Sequence, residues 1–242
     1  MMLKGKVAVI YGAGGDVGGS VARAFAREGA RLFLSGRNLC RVEAVAADVI
    51  GRGGVAEAAQ VDALDEQVVE RYVDDVAAKA GAIDISFTAI GISHALPQKA
   101  PLLELSAEHF ALPITTYTQA HFLTARIAAR RMVARRSGVI LTITGTPSRM
   151  AFPNVGGIAP AFAAVVALSR SLSAELAPQG VRVVCLMPNA MPETETIRES
   201  FDRYAKATSV SRAEYQARFT ATLASSARVV NRLRCVEPSK RA

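Results

Sequence analysis

The chain has 242 residues, half of them hydrophobic, and a formal net charge of +8 at pH 7. This length suffices to bury one sizeable core, and because no Pro-, Gly- or Ser-rich linker divides the chain, we expect a single domain over residues 1–242. The first apolar run, at residues 7–10, is too short for a signal peptide or a membrane span, so we predict a cytoplasmic protein with no membrane partner.

Short apolar runs alternate with longer amphipathic segments along the chain. The predicted strands are residues 6–11, 31–35, 55–61, 83–88, 138–143 and 181–187, and the predicted helices are residues 17–28, 39–51, 65–80, 116–136 and 157–176. Strands separated by helices of this length imply right-handed parallel crossovers and a doubly wound α/β sheet with helices on both faces. Such sheets bind ligands beyond the carboxyl ends of their strands.

The turn after the first strand is rich in glycine and reads Tyr-Gly-Ala-Gly-Gly-Asp-Val-Gly-Gly at residues 11–19. Glycines at this place let the backbone turn tightly, bring amide groups close to a pyrophosphate and aim a helix N-terminus at its charge. The turn therefore predicts a dinucleotide-binding site.

This glycine turn resembles the Thr-Gly-x-x-x-Gly-x-Gly fingerprint of the short-chain dehydrogenase/reductase family, with Gly12 and Gly18 at its outer glycines. Tyr11 replaces the threonine, and Asp16 replaces the middle glycine. Asp16 either opposes the phosphates that the family brings close to this position or caps the following helix. Residues 171–184 resemble the family's later helix and sixth strand closely enough to set the register between them.

The resemblance implies a Rossmann-type oxidoreductase with a nicotinamide cofactor and a small-molecule substrate, without a metal. It assigns cofactor contacts to Gly12, Gly14, Gly15, Asp16, Val17, Gly18, Arg37, Asp62, Ala89, Gly91, Pro188 and Thr194. Arg37 favours NADP(H) over NAD(H), because a guanidinium pairs with a 2′-phosphate whereas the acid usual for NAD would repel it. The alternatives are an ordinary solvated Arg37 and an Asp62 that caps the next helix.

Carbonyl reduction in this family uses a tyrosine, a lysine four residues later and a serine. The register places these positions at Ile158, Phe162 and Gly145, so the resemblance implies that all three functional groups are absent. The family asparagine falls near Tyr117. One hypothesis makes Tyr117 a substitute proton donor assisted by His94, and the other packs Tyr117 under a helix and leaves His94 in water.

The remaining titratable and basic residues suggest no further site. The widely spaced cysteines, Cys40, Cys185 and Cys235, predict reduced thiols. The histidines include no pair four residues apart, which predicts no metal site and surface or partly packed side chains for His94, His109 and His121. The densest basic stretch, formed by Arg126, Arg130, Arg131, Arg135 and Arg136, has the spacing of a solvated helix face, and without a nucleic-acid-binding motif we expect no such partner.

Residues 195–242 depart from the family, since they are helix-prone and basic and lack the Gly-Gly that ends its seventh strand. Loss of that strand would expose a sheet edge and remove a surface used for association, so homo-oligomer formation is an open question. Two functions follow. The first is an NADP(H)-dependent oxidoreductase of a small apolar carbonyl or alkene with a non-standard proton source, and the second is a catalytically inactive protein that binds a nucleotide or a partner.

Overall fold

A computed structural model describes residues 1–92, 101–150, 154–189 and 191–230. The chain forms two compact units, Met1–Pro188 and Asn189–Ala242. The first unit contains the entire sheet described below.

The sheet has six strands within the described residues: β1 (Val7–Tyr11), β2 (Arg31–Gly36), β3 (Val55–Gln60), β4 (Ile85–Thr88), β5 (Gly138–Ile143) and β6 (Val181–Leu186). All neighbours pair in parallel in the order β3-β2-β1-β4-β5-β6. This order reverses direction between β1 and β4, which is where doubly wound sheets bind dinucleotides. The predicted α/β class is confirmed. No seventh strand pairs with β6 in the part of the chain that is described.

In the described part of the chain, five helices cover the sheet: α1 (Asp16–Arg27), α2 (Leu39–Gly51), α3 (Glu66–Ala80), α4 (Ala107–Ala134) and α5 (Ile158–Leu176). Alternate residues of β1 point to opposite faces. Val7, Val9 and Tyr11 join a core cluster with residues of α3, α4 and α5. Ala8 and Ile10 join a second cluster with residues of α1 and α2.

Helix α4 begins at Ala107, nine residues before the predicted start at 116, so that boundary was wrong. The Ser106 side chain caps it by accepting a 3.2 Å hydrogen bond from the His109 amide. Pro113 lies inside the helix, where proline removes a backbone hydrogen bond and normally destabilises the helix. This part of α4 packs closely on Gly157, because a Cβ at Gly157 would lie 1.9 Å from the Phe110 carbonyl oxygen and 2.8 Å from Pro113 Cγ.

The basic stretch of α4 forms ion pairs with acidic residues. Arg130 contacts Glu70 at 3.0 Å, Arg135 contacts Asp84 at 3.8 Å, and two further pairs join Arg126 to Glu66 and Arg131 to Asp74. Three of these pairs connect α4 to α3. The interpretation as a merely solvated face was therefore incomplete, although each exposed pair contributes little stability on its own.

Helix α5 with the turn that follows it, Ile158–Gln179, is long and apolar enough to span a membrane by length and composition. It packs against α4 and β6, as a sheet-covering helix does. The cytoplasmic location stays a prediction.

The second unit contains α6 (Glu195–Ala207) and α7 (Arg212–Val230). The two helices pack through aromatic rings. Phe201 lies 5.6 Å from Tyr215 and 5.3 Å from Phe219, and Tyr204 stacks on Tyr215 with ring centroids 5.6 Å apart. Whether residues 1–242 act as one domain stays a prediction.

Candidate active site

The glycine turn is closed by contacts between backbone atoms. Gly12 has a φ of 74°, a conformation that disfavours a side chain, and a Cβ there would lie 2.7 Å from the Ala89 carbonyl oxygen. A Cβ at Gly18 would lie 2.4 Å from the Gly12 carbonyl oxygen. Three of the predicted cofactor contacts, Gly12, Gly18 and Ala89, are thus brought together where the ends of β1 and β4 meet.

Gly14 and Gly15 face different surroundings. A Cβ at Gly14 would lie 2.8 Å from Arg41 Cβ, so the turn packs against the first turn of α2. Gly15 is exposed, and a Cβ there would meet only the Gly12 carbonyl oxygen, at 3.5 Å. Gly15 is also the N-cap of α1 and provides no side-chain hydrogen bond. The first amides of α1 therefore lie behind an open surface, which fits a pyrophosphate.

Asp16 is the first residue of α1, and Gly15 occupies the cap position, so the interpretation of Asp16 as the N-cap was wrong. Its exposed carboxylate lies in the first turn, where the helix dipole favours negative charge. A bound phosphate would compete for the same positive potential. Val17, the next residue, packs against the α1/α2 core cluster.

The ends of β2 and β3 carry Arg37 and Asp62, both exposed. Among the described residues, no carboxylate forms an ion pair with Arg37. Asp62 accepts a 3.0 Å hydrogen bond from the Leu64 amide, whereas the cap of α3 is Asp65, which accepts from Val68 at 3.0 Å. The capping alternative for Asp62 was therefore wrong.

At the end of β4, a buried hydrogen bond of 2.7 Å joins the hydroxyls of Thr88 and Thr124. The Ala89 amide donates to the Tyr11 carbonyl at 2.9 Å and ties β4 to β1. Gly91 is exposed, with no atom within 4 Å of a Cβ built there. This side of the site is thus held by threonine hydroxyls and backbone bonds.

At the end of β5, Gly145 and Phe162 are in direct contact. A Cβ at Gly145 would lie 2.7 Å from Phe162 Cε2. The phenyl ring therefore occupies the space that a serine at position 145 would need. Ile158, at the start of α5, is buried. The side chains at these three positions are apolar or absent.

Tyr117 is buried and packs against Phe162 and His121, with ring centroids 5.3 Å and 4.3 Å away. Its hydroxyl donates to the carbonyl of Ile143, the last residue of β5. Burial raises the pKa of Tyr117 above its ordinary value, which weakens it as an acid. Its predicted partner His94 lies outside the described residues, so a catalytic role for the two together stays a prediction.

His121 is fully buried, so the expectation of a surface or partly packed histidine was wrong for this residue. Its Nδ1 lies 2.9 Å from the Tyr117 carbonyl oxygen, and Nε2 has no hydrogen-bond partner among the described residues. Burial lowers the pKa of His121 from 6.5 to about 4, against the opposing effect of the Tyr117 and Ile143 carbonyls. The spacing of Tyr117 and His121, one helical turn apart, was the sequence signal for this pair.

Tyr11, at the fingerprint position, is completely buried beside Tyr72, with ring centroids 5.9 Å apart. Neither hydroxyl has a hydrogen-bond partner among the described residues. Burial raises the pKa of both phenols, so both remain neutral. Tyr11 therefore serves as a large core residue under the glycine turn.

The last two predicted contacts follow β6. Pro188 ends the first unit, and Thr194 belongs to the second. Thr194 caps α6 by accepting from the Ile197 amide at 3.4 Å, and its hydroxyl donates to the Met191 carbonyl at 2.7 Å. Its contact with a nicotinamide stays a prediction. Within the described residues, Cys40 and Cys185 are free thiols, and no cluster of three or more potential metal ligands occurs.

The strand order and the glycine turn define a Rossmann-type α/β fold. A family model described as enoyl-(acyl carrier protein) reductase matches residues 12–232. The chain belongs to the short-chain dehydrogenase/reductase family, whose members are oxidoreductases. This result confirms the family resemblance of the sequence and the oxidoreductase class.

Individual relatives agree with this assignment. Short chain aldehyde dehydrogenase 1 of Euphorbia lathyris is 29% identical over 192 residues, which cover 77% of this chain and 64% of that protein. The crystal structure of NAD⁺-bound xylitol dehydrogenase is similar with a TM-score of 0.80 and 26% identity, covering 85% of this chain and 78% of that one. A metagenomic short-chain oxidoreductase in complex with NADP has a TM-score of 0.71 and 25% identity, covering 78% and 84%. Nicotinamide cofactors thus occur among the structural neighbours, in both NAD and NADP forms.

Proposed function

We propose that the protein is an NADP(H)-dependent reductase of a small apolar substrate with a polarised carbon–carbon double bond, and that water is its proton source. The observation that carries this proposal is the contact between Gly145 and Phe162. A carbon–carbon double bond conjugated to a carbonyl suits a pocket without an acidic hydroxyl at that point. The enoyl reductase description of the matching family model supports the same substrate class.

The cofactor would be held by the glycine turn and by Arg37. Gly12 and Gly18 keep the turn tight, and the open side of Gly15 leaves the first amides of α1 for the pyrophosphate. Arg37 would pair with a 2′-phosphate. Arg41, which no sequence motif marks, is exposed beside Gly14 and adds positive charge there.

When bound, the reduced nicotinamide supplies a hydride to one carbon of the double bond, and a proton at the other carbon completes the reduction. Reduction of a simple carbonyl needs a proton at oxygen as charge develops there. In a conjugated alkene that charge spreads over the adjacent carbonyl, so a carbon atom can take its proton from water. Gly145, Ile158 and Phe162 offer no proton, and the Tyr117 hydroxyl is held by the Ile143 carbonyl. These residues therefore leave water as the proton source.

The first experiment is a titration of the purified protein with NADPH and NADH, followed by nicotinamide fluorescence. We expect tighter binding of NADPH, a loss of roughly tenfold in NADPH affinity in Arg37→Ala, and little change for NADH. Asp16→Gly should strengthen the binding of both cofactors, because it removes a competing negative charge. Equal affinities for the two cofactors in the wild type and in Arg37→Ala would contradict the NADP assignment.

The second experiment measures NADPH oxidation with 4-phenyl-3-buten-2-one and with its saturated ketone, 4-phenylbutan-2-one. Turnover of the enone alone supports alkene reduction. Turnover of the saturated ketone would contradict the alkene assignment. Binding of NADPH without turnover of either compound would instead support a protein that binds a nucleotide without catalysis.

A further inference from the structure

Phe162 is the outward-facing member of a buried aromatic cluster. Tyr117, Ala161 and Val165 are at most 4% exposed, and the partly exposed Phe162 packs against them. Its ring is fixed from behind by Tyr117, which is itself held by the Ile143 carbonyl and the His121 ring. The orientation of the phenyl ring is therefore set by the core.

The front of the ring lies against Gly145. A Cβ at Gly145 would approach Phe162 Cε2, Cδ2 and Cζ at 2.7, 3.3 and 3.5 Å. A side chain at position 145 would therefore require the Phe162 ring to shift. The two residues form one apolar surface at the carboxyl end of β5, where doubly wound sheets bind their ligands.

Two of the hydroxyls beside this surface, those of Thr144 and Ser148, are already engaged by the protein. Ser148 donates to the Gly145 carbonyl at 2.9 Å, and Thr144 donates to the Leu186 carbonyl at 3.4 Å. The sulfur of Met187 lies 3.6 Å from the Ser148 hydroxyl and adds a soft, polarisable group. The surface therefore favours the binding of flat apolar groups over groups that bind by hydrogen bonds.

We propose that Phe162 and Gly145 select substrates whose reducible bond is conjugated to an aromatic ring. A flat aryl group can meet the exposed part of the Phe162 ring in an edge-to-face or offset arrangement. A flexible alkyl chain of equal size does not gain this contact and loses more conformational freedom on binding. This inference rests on the proposed alkene reduction, because it names the substrate class for the same pocket.

The test compares 4-phenyl-3-buten-2-one with 3-decen-2-one, an alkyl enone of equal carbon number, in the wild type and in Phe162→Leu. Leucine keeps the pocket apolar but removes the ring. We expect kcat/KM to favour the aryl enone roughly tenfold in the wild type and to be nearly equal for the two compounds in Phe162→Leu. The NADPH affinity should be unchanged. Phe122→Leu is the matched control, since Phe122 lies on the exposed face of α4 under Arg126.

An aryl preference that is absent in the wild type, or that persists in Phe162→Leu, would overturn the inference while leaving the proposed reductase activity intact. If neither enone is turned over, the proposed function fails, and the inference is then decided by binding. Thermal stabilisation of the NADPH-loaded protein by 4-phenylbutan-2-one and by 2-decanone would be compared. A preference for the aryl ketone that Phe162→Leu abolishes supports the inference, and any other result overturns it.

Discussion

Glycines close the site at two places, but they meet different kinds of atom. At the end of β1, Gly12 and Gly18 are pressed against backbone carbonyl oxygens, whereas at the end of β5 Gly145 is pressed against the ring of Phe162. A backbone contact leaves no partner that a second substitution can change. A contact with a side chain can be exchanged, because a new residue on one side can be matched by a new residue on the other. The β1 end, which we propose holds the nucleotide, is therefore rigidly specified, and the β5 end, which we propose holds the substrate, can be remodelled by paired changes. We call these ends the nucleotide side and the catalytic side.

The largest expected effect is on the nucleotide side. Gly18→Ala should lower the free energy of unfolding by about 3 kcal/mol and weaken NADPH binding, because its Cβ would overlap the Gly12 carbonyl. Denaturant unfolding and cofactor titration measure both changes. Gly51→Ala is the control, since no atom lies within 4 Å of a Cβ there, and alanine in α2 should stabilise by about 0.5–1 kcal/mol. Unchanged stability in Gly18→Ala would contradict the distinction between the two ends.

The next effect is on the catalytic side and depends on pH. Because burial lowers the pKa of His121 from 6.5 to about 4, the unfolded chain binds a proton in that interval while the native protein does not. Stability should therefore fall by about 3 kcal/mol as the pH drops from about 6.5 to about 4. The plot of unfolding free energy against pH should become flatter across this range in His121→Leu. In His109→Leu it should keep the slope of the wild type. An equal slope in both variants would contradict the assignment of the transition to His121.

A smaller effect concerns the phenol of the catalytic side. Tyr117→Phe should cost about 1–2 kcal/mol of unfolding free energy, because the Ile143 carbonyl loses its hydrogen bond. Turnover should persist, since water is the proposed proton source. Chemical denaturation and steady-state kinetics test these two statements separately. Complete loss of turnover in a folded variant would restore Tyr117 as the proton donor.

The smallest effect is expected for the matching phenol of the nucleotide side. Tyr11→Phe should raise the free energy of unfolding by up to about 1 kcal/mol, because the hydroxyl of Tyr11 is buried without a partner among the described residues. Tyr117→Phe and Tyr11→Phe thus each remove a phenol hydroxyl, but the first should lower the free energy of unfolding and the second should raise it. Destabilisation by Tyr11→Phe would indicate that its hydroxyl has a hydrogen-bond partner in solution.

The sequence by itself determined the parallel α/β class, the six strand positions and four of the five predicted helix starts to within two residues, because apolar periodicity and glycine turns are local signals. It also placed Gly12, Gly18 and Ala89 at one edge of the sheet, since parallel strands end on the same side. The sequence did not predict the start of α4 at Ala107, because the destabilising effect of Pro113 on the helix is outweighed by packing against Gly157.

Only the tertiary structure decided which side chains meet. The ion pairs between α3 and α4 join residues about sixty positions apart. Gly145 follows β5 and Phe162 lies in α5, and no sequence pattern predicts their contact. The burial of His121 and the hydrogen bond from Tyr117 to Ile143 likewise depend on how α4 lies on β5. Sequence patterns report the face on which a residue lies, whereas the partner across that face is set by packing between elements distant in the chain.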